Sequence, residues 1–277
     1  MSRPFVKMNG LGNDFVVVEA ASRPFTPSRD EARAIADRAS GVGCDQLIGL
    51  ERSGVADIFM RIWNADGGEA EACGNATRCV AWLLLQATGR ESVRIETLAG
   101  VLEATAAGAG AVTVDMGAPG LDWRDIPLAG PADTRELDLR VEAANGGPGC
   151  VSMGNPHVVF FVADVEATPV AALGAWLEHH RRFPQKANIG FAQIQGPDRI
   201  RLRVWERGVG VTLACGTGAC AALVAAHRRD LTGRAATVQM DGGPLEIQWR
   251  ESDGHVLMTG PASIDFIGRL TELEMAA

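Results

Sequence analysis

Residues 71–79, EACGNATRC, return in altered form at 213–220 as LACGTGAC, with Cys73 and Cys215 separated by 142 positions. The same offset, with no gap, sets Gly12-Asn13 on Gly154-Asn155, Val16-Val17 on Val158-Val159 and Thr26-Pro27 on Thr168-Pro169. It lays MRIWNADGGEAEACG (60–74) over LRVWERGVGVTLACG (202–216), matching Arg61, Trp63, Gly68 and Ala72-Cys73-Gly74, and then Met116 and Pro119 over Met258 and Pro261. With 33 glycines, scattered Gly pairs coincide at any offset. A Trp followed ten residues later by Cys within Ala-Cys-Gly, repeated without a gap, is a duplication. A repeat of that length restricts the fold to two lobes of one architecture.

The local patterns agree in both halves. FVVVEA and HVVFFVA are short β-branched and aromatic runs, hence strands. SRDEARAIADRAS (28–40) has Ser28 as an N-cap candidate, Glu31 three residues on, and apolar residues at helical spacing. Its counterpart TPVAALGAWLEHHRR (168–182) has Pro169 where a first helical turn accepts it. FMRIWN and LRVWE are strands that run into loops, and a helix follows each Ala-Cys-Gly: NATRCVAWLLLQATG, stopped by Gly89, and TGACAALVAAHRRDLTG, stopped near Gly233. The expected class is α+β, with two pseudo-symmetric mixed α/β lobes. The boundaries expected are 1–118 for the N-terminal lobe, with 264–277 able to pack back on it, and 119–263 for the C-terminal lobe, 119–146 being the candidate linker.

The bulk properties narrow the function. A net charge of −8 argues against a nucleic-acid partner, which needs concentrated Lys and Arg. The start MSRPFVKMNG has no apolar core of a secretory signal, and the longest apolar stretch, VAWLLLQA (80–87), is too short for a bilayer. A cytoplasmic location is expected, where six cysteines are free thiols rather than a disulfide framework. No cofactor is implied: only Lys7 and Lys186 could form a Schiff base, and no glycine-rich nucleotide loop is present. No metal is expected either, since Cys73 and Cys79 have five residues between them, beyond the usual spacing of structural zinc pairs.

Each repeated motif puts a cysteine where a strand-derived loop becomes a helix. A thiol there sits at the positive end of the helix dipole, beside N–H groups with no intrahelical partner, a setting expected to lower its pKa. Gly74 and Gly216 let a ligand approach the backbone, and two such helix starts would cradle a carboxylate. Equivalent lobes packed about a pseudo-two-fold axis would bring Cys73 and Cys215 to opposite sides of one cleft. One base on each face of a tetrahedral carbon is the geometry that inverts it: one thiolate removes a proton and the opposing thiol delivers one. Cys79 and Cys220 lie in apolar helix and are expected to be core; Cys44 and Cys150 carry no assignment.

The columns where the repeat disagrees matter as well. Asn64 aligns with Glu206, Phe15 with His157, Gln46 with Asn188 and Asn75 with Thr217. A substrate with distinct ends needs an asymmetric site, and Glu206 and His157 put titratable groups in one half only, where they can bias which cysteine holds the proton.

These residues resemble the diaminopimelate epimerase family, through KMNGLGNDFVVVE (7–19), GVGCDQLI (41–48), WNADGGEAEACGNATRC (63–79), SMGNPHVVF (152–160), ANIGF (187–191) and WERGVGVTLACGTGACAA (205–222). The resemblance covers essentially the whole chain. It implies cofactor-independent interconversion of LL- and meso-2,6-diaminopimelate, in lysine and peptidoglycan precursor synthesis. It implies Cys73 and Cys215 as the acid/base pair, and His157 and Glu206 as modulators of their pKa values. Substrate contacts are implied for Asn13, Gln46, Asn64, Asn155, Asn188, Glu206 and Arg207, with Gly74, Asn75, Gly216 and Thr217 binding through the helix starts. The implied fold is a barrel-like sheet around a central helix in each lobe, with the active site in the cleft between them, in a protein that is often a homodimer. Two positions depart from the pattern: Asn9 stands where the family usually has His, and Val211 where Glu is common.

Three alternatives share some of these features. A two-cysteine racemase of proline or hydroxyproline would share the thiols but needs no grip on a distant carboxylate, which Arg207 can hold bidentately. A thiol redox protein would couple the same two cysteines, and a non-catalytic binding protein would not need both.

Overall fold

The computed structural model describes residues 2–108 and 110–270. The chain divides into two compact units, one formed by the residues up to Val114 and again from Gly260, the other by Asp115–Thr259. The first unit contains β1 (Arg3–Gly10), β2 (Asn13–Glu19), α1 (Arg29–Ala36), β3 (Gln46–Glu51), β4 (Ile58–Asn64), β5 (Glu69–Ala70), α2 (Gly74–Thr88), β6 (Ser92–Thr97), β7 (Gly100–Ala106) and β8 (Ala111–Asp115). The second contains β9 (Gly149–Ser152), β10 (Pro156–Phe161), α3 (Val170–Glu178), β11 (Asn188–Gly196), β12 (Arg199–Glu206), β13 (Gly210–Thr212), α4 (Gly216–Arg228), β14 (Ala235–Met240), β15 (Gly243–Trp249) and β16 (Val256–Pro261). β17 (Ser263–Leu270) pairs antiparallel with β1; 271–277 lie outside the described residues.

The duplication extends to individual backbone pairs. In the first unit the ladders run β1-β2-β3-β4-β6-β7, with β2/β3 and β4/β6 parallel and the others antiparallel. In the second they run β9-β10-β11-β12-β14-β15 with the same senses in the same places. Parallel neighbours need a crossover, and α1, α2, α3 and α4 supply the four. Register is kept too: Phe15 opposes Gln46 as His157 opposes Asn188, and Leu47 opposes Trp63 as Ile189 opposes Trp205.

Each sheet curves around the helix that follows its Ala-Cys-Gly. α2 touches β1, β2, β6 and β7, and α4 touches β9, β10, β11, β12, β14 and β15. α4 is buried on nearly all sides, from Gly218 through Ala226, which an Ala-rich helix with few large side chains permits. The run of ladders stays open, so each sheet wraps its helix without closing into a barrel.

Helix ends show local competition. Ser28 and Glu31 form the expected capping box, but α1 ends at Ala36 rather than near residue 40. Asp37 Oδ1 accepts from the Ala39 and Ser40 N–H groups and the Ser40 hydroxyl, trading the next helical turn for a side-chain turn. α3 also ends early, at Glu178. α4 ends at Arg228, five residues before Gly233, because Asp230 takes φ 60° and the Asp230 and Leu231 N–H groups return to the His227 and Ala226 carbonyls. That is a Schellman closure with Asp where Gly is usual. Gly89, at φ 66°, closes α2 as expected.

The first core gathers Phe5, Val16, Val18, Phe25, Ile35, Leu47, Trp63 and Leu270. The second gathers Val158, Phe160, Val165, Leu177, Ile189 and Phe191, joined by Ile126, Leu128, Leu137 and Leu139. Residues 119–146 are therefore no free tether: their apolar side chains complete the core of the second unit. No described helix is long and apolar enough to cross a membrane.

Candidate active site

Cys73 and Cys215 are the N-cap residues of α2 and α4, each extended (φ −149°, ψ 110° and φ −131°, ψ 105°). N-caps are normally Ser, Thr, Asp or Asn, whose oxygen accepts from the first-turn N–H groups. Neither thiol makes that bond, and neither first turn holds an acidic residue. Both helices thus start with donors and positive dipole ends that no acidic residue of their own first turn answers.

The hairpin before each helix has the same length, which is why the offset never slips. After β4, Gly67 (φ 79°) turns the chain while Asn64 N–H bonds the Gly68 carbonyl. Gly67 N–H also donates to the Asn64 carbonyl at 2.9 Å, and after β12 the equivalent bond runs from Val209 N–H to the Glu206 carbonyl at 3.1 Å, with Gly208 (φ 75°) one position earlier in the turn.

In the first unit Asn13 lies beside the helix start. Its Nδ2 donates to Asp45 Oδ2 at 2.6 Å, so its Oδ1 turns toward Asn75 Nδ2 at 3.3 Å and Cys73 Sγ at 3.9 Å. Asp45 is itself held by Arg38 (2.7 Å), which also grips Asp14, and Asp14 pairs with buried Lys7 at 2.6 Å. Gln46 and Asn64 sit opposite each other at the ends of β3 and β4, with Gln46 Nε2 donating to Asn64 Oδ1 at 2.9 Å. Gln46 Oε1 and Asn75 Oδ1 are buried acceptors with no donor among the described residues.

The second unit builds the same corner with other groups. His157 Nε2 lies 2.9 Å from Asn155 Oδ1 and 3.0 Å from Thr217 Oγ1, and Asn155 Nδ2 is 3.3 Å from that hydroxyl. Thr217 Oγ1 is 3.7 Å from Cys215 Sγ, so His157 reaches the sulfur through Thr217. Asn188 Nδ2 donates to the Pro156 carbonyl and its Oδ1 accepts from Arg207 N–H at 2.9 Å. Glu206 Oε1 accepts from Thr212 Oγ1 at 2.5 Å. The Arg207 guanidinium is exposed and donates to the Gln185 carbonyl at 3.3 Å. A Cβ on Gly218 would lie 3.2 Å from Cys215 Sγ, so the sulfur rests over a bare α-carbon.

Electrostatics correct one expectation. Burial and the Glu206 charge push Cys215 well above the ordinary thiol range, against the lowering by the Thr217 hydroxyl and Gly218 N–H. Desolvation of a thiolate outweighs the helix start here, so Cys215 is a thiol at neutral pH. His157 goes the other way: burial, then the Arg207 charge, lowers it to about 3, and it is a neutral imidazole. Cys79 and Cys220 are fully buried, as expected of core residues.

A pH-dependent stability follows from His157. Its folded pKa lies below the unfolded value, so the unfolded chain gains a proton first and stability falls as pH drops from 6.5 toward 3. Between pH 7 and pH 5 that linkage removes about 2 kcal/mol. Urea denaturation of wild type and His157→Asn at the two pH values should show the wild type losing about 2 kcal/mol more; equal losses would contradict the buried neutral imidazole.

Residue-by-residue comparison of the halves also exposes residues not singled out in the sequence. Asp45 orients Asn13, yet its counterpart is Ala187, a disagreement of the same kind that marked Glu206 and His157. Among the described residues, Asp115, Asp253 and His255 are grouped closely enough for a metal ion, but Arg250 Nη2 already bonds Asp115 at 2.9 Å and Asp253 at 2.5 Å.

The family model for diaminopimelate epimerase matches residues 5–121 and 149–264, taking in both helix-start cysteines and leaving out the connecting stretch. The chain belongs to the diaminopimelate epimerase family. A family member from Phenylobacterium zucineum, named diaminopimelate epimerase, is 61% identical over 273 residues, covering 98% of each chain. Solved structures share the fold at lower identity. A PhzF-family phenazine biosynthesis protein from Bacillus anthracis is 18% identical with a TM-score of 0.70, over 98% of this chain and 99% of that one. A hydroxyproline epimerase from Agrobacterium vitis, with bound trans-4-hydroxy-L-proline, is 16% identical with a TM-score of 0.69, over 97% and 92%. The family's two-lobed duplicated fold and its isomerase class therefore apply to this chain.

Proposed function

We propose that this enzyme interconverts LL- and meso-2,6-diaminopimelate without a cofactor, in lysine and peptidoglycan precursor synthesis, with Cys73 and Cys215 as the acid/base pair. The observation that carries the reading is the matched pair of thiol N-caps on the duplicated helices. Cys215 keeps its proton in the free enzyme, so Cys73 is the base in the form that starts the reaction. The Cys73 thiolate takes the α-proton from one face, and the Cys215 S–H bond breaks to protonate the other. The products are a Cys73 thiol, a Cys215 thiolate and the inverted carbon; loss of the Cys73 proton to solvent and reprotonation of Cys215 from it, or the reverse reaction, restores the first state.

The carbanion needs stabilisation before the second proton arrives. The unanswered N–H groups at Gly74-Asn75 and Gly216-Thr217 suit an α-carboxylate whose charge spreads as the proton leaves. The buried Gln46 and Asn75 carbonyl oxygens suit an ammonium donor. Asn13, Asn64, Asn155 and Asn188 supply further amide contacts, Arg207 a fork for the distal carboxylate, Glu206 biases the proton toward Cys215, and His157 tempers that bias through the Thr217 hydroxyl. A cytoplasmic homodimer fits the reading: β17 exposes Ile264, Phe266 and Ile267, apolar surface that a second copy would cover.

The test is turnover of LL-diaminopimelate in deuterated water. Deuterium should appear at the inverted Cα of the meso product, while proline and hydroxyproline remain unchanged. Binding of diaminopimelate with its α-hydrogen retained would reduce the protein to a binder, and turnover of proline would move the substrate assignment.

A further inference from the structure

We propose that Glu178, at the end of α3, is a positioning residue that holds the Glu206-Arg207 turn from behind, through Trp205 and Gly208. The inference rests on the assignment of Glu206 and Arg207 to substrate contact. Glu178 is only 3% exposed, and its two oxygens are divided between the two sides of that turn. Oε2 accepts from Trp205 Nε1 at 2.8 Å and Oε1 from Gly208 N–H at 3.1 Å. The donors are the residues immediately before and after Glu206-Arg207, so one carboxylate fixes both ends of the dipeptide.

A third partner extends the reach. Lys186 Nζ lies 3.3 Å from Glu178 Oε1, in the loop that leads into β11. In that loop the Gln185 carbonyl accepts from the Arg207 guanidinium, and Asn188 just beyond accepts from Arg207 N–H. Glu178 thus ties together the three backbone places that present Asn188, Glu206 and Arg207. Burial pushes its pKa up, but the bonds from Trp205, Gly208 and Lys186 outweigh burial and leave it below the usual carboxylate range.

The other half of the repeat shows why the device exists. In the first unit the equivalent turn carries its own carboxylate, Asp66 Oδ1 accepting from Gly68 N–H at 2.8 Å, and α1 adds a donor, Arg33 Nε to the Asp66 carbonyl at 2.9 Å. The position of Asp66 is taken by Gly208 in the second unit, and the position of Glu178 by Ala36 in the first. The turn that carries the asymmetric pair Glu206-Arg207 has lost its own carboxylate and takes one from the neighbouring helix. A long flexible Arg that must present a planar fork to a carboxylate depends on its backbone being held.

The experiment uses the full chain with Glu178→Gln, Glu178→Ala and Trp205→Phe. It reads KM and kcat for LL-diaminopimelate, together with the ¹⁵N–¹H amide shifts of Arg207 and Gly208. Glu178→Ala should raise KM about tenfold with kcat changed less than threefold, and move the two amide resonances more than those of the first unit. Glu178→Gln, which keeps one acceptor but loses the charge facing Lys186, should fall between, as should Trp205→Phe, which deletes one donor. If Glu178→Ala does not fold, those two variants carry the test. Folded variants with KM and both amide shifts at wild-type values overturn the proposal, as does a lowered Tm with KM unmoved. The amide shifts need no substrate, so a wild type inactive on diaminopimelate would sink the substrate assignment and leave the placement of the turn to be judged on the spectra.

Discussion

Cys73→Ser and Cys215→Ser should each lower epimerisation by at least a thousandfold while leaving the fold intact or slightly more stable. A serine hydroxyl is far too weak an acid to exist as an alkoxide at neutral pH, so the variant loses one of the two proton carriers. The stability half of the expectation comes from the helix caps. Both cysteines occupy N-cap positions without making a capping bond. Serine is among the preferred residues there, and a hydroxyl that reaches the first-turn N–H groups contributes about 1 kcal/mol. Activity and stability should therefore separate: turnover collapses, and Tm holds or rises. A variant with more than a tenth of wild-type turnover would end the two-thiol mechanism. A large fall in Tm would instead mean that the sulfur is structural.

Gly174→Ala should damage both stability and turnover although it touches no reacting group. A Cβ there would stand 2.4 Å from Trp205 Cβ and 2.5 Å from its Cγ, closer than real carbon atoms approach. α3 and β12 must separate, and overpacking of that kind costs about 1–3 kcal/mol, only partly offset by the better helix propensity of Ala, about 1 kcal/mol. The clash here is with an atom attached to the backbone rather than a flexible tip, which places the net loss near the upper end, about 2 kcal/mol. Tm should fall by roughly 4–8 °C for a domain of this size. Trp205 immediately precedes Glu206, so kcat/KM should fall with it. Gly89→Ala is the control: nothing lies within 4 Å of its Cβ, but φ is 66°, and the cost should be only that of a left-handed non-glycine residue, about 1 kcal/mol. A Gly174→Ala protein as stable as Gly89→Ala would show that α3 is free to shift.

The parts of the fold legible in the sequence were those set by chain-length arithmetic. Trp63 and Trp205, or Cys73 and Cys215, hold one offset because both hairpins between them keep the same number of residues, so even the ladder registers could be carried from one half to the other. Helix ends were less legible, because Asp37 and Asp230 stop helices by capturing or redirecting backbone groups, and neither is a breaker by composition. The stretch 119–146 read as a connector since its Leu residues are spaced without a period, yet burial recruits them.

In the site, the residue types were legible and their partners were not. A helix start should acidify a thiol, and for Cys215 it does not prevail, because the depth of burial is set by side chains distant in sequence. Asp45 behind Asn13 and Glu178 behind the Glu206-Arg207 turn act through a neighbour, and such support leaves no motif. Their trace was the repeat itself: each faces an alanine in the other half.

The exposure of the six thiols differs sharply: Cys44, Cys79, Cys150, Cys215 and Cys220 are buried, and Cys73 alone is partly open. A bulky electrophile therefore finds a single nucleophile per polypeptide, and one covalent adduct is enough to silence it. The chain can be counted by stoichiometric titration, and a selective inactivator needs to be shaped for only one warhead.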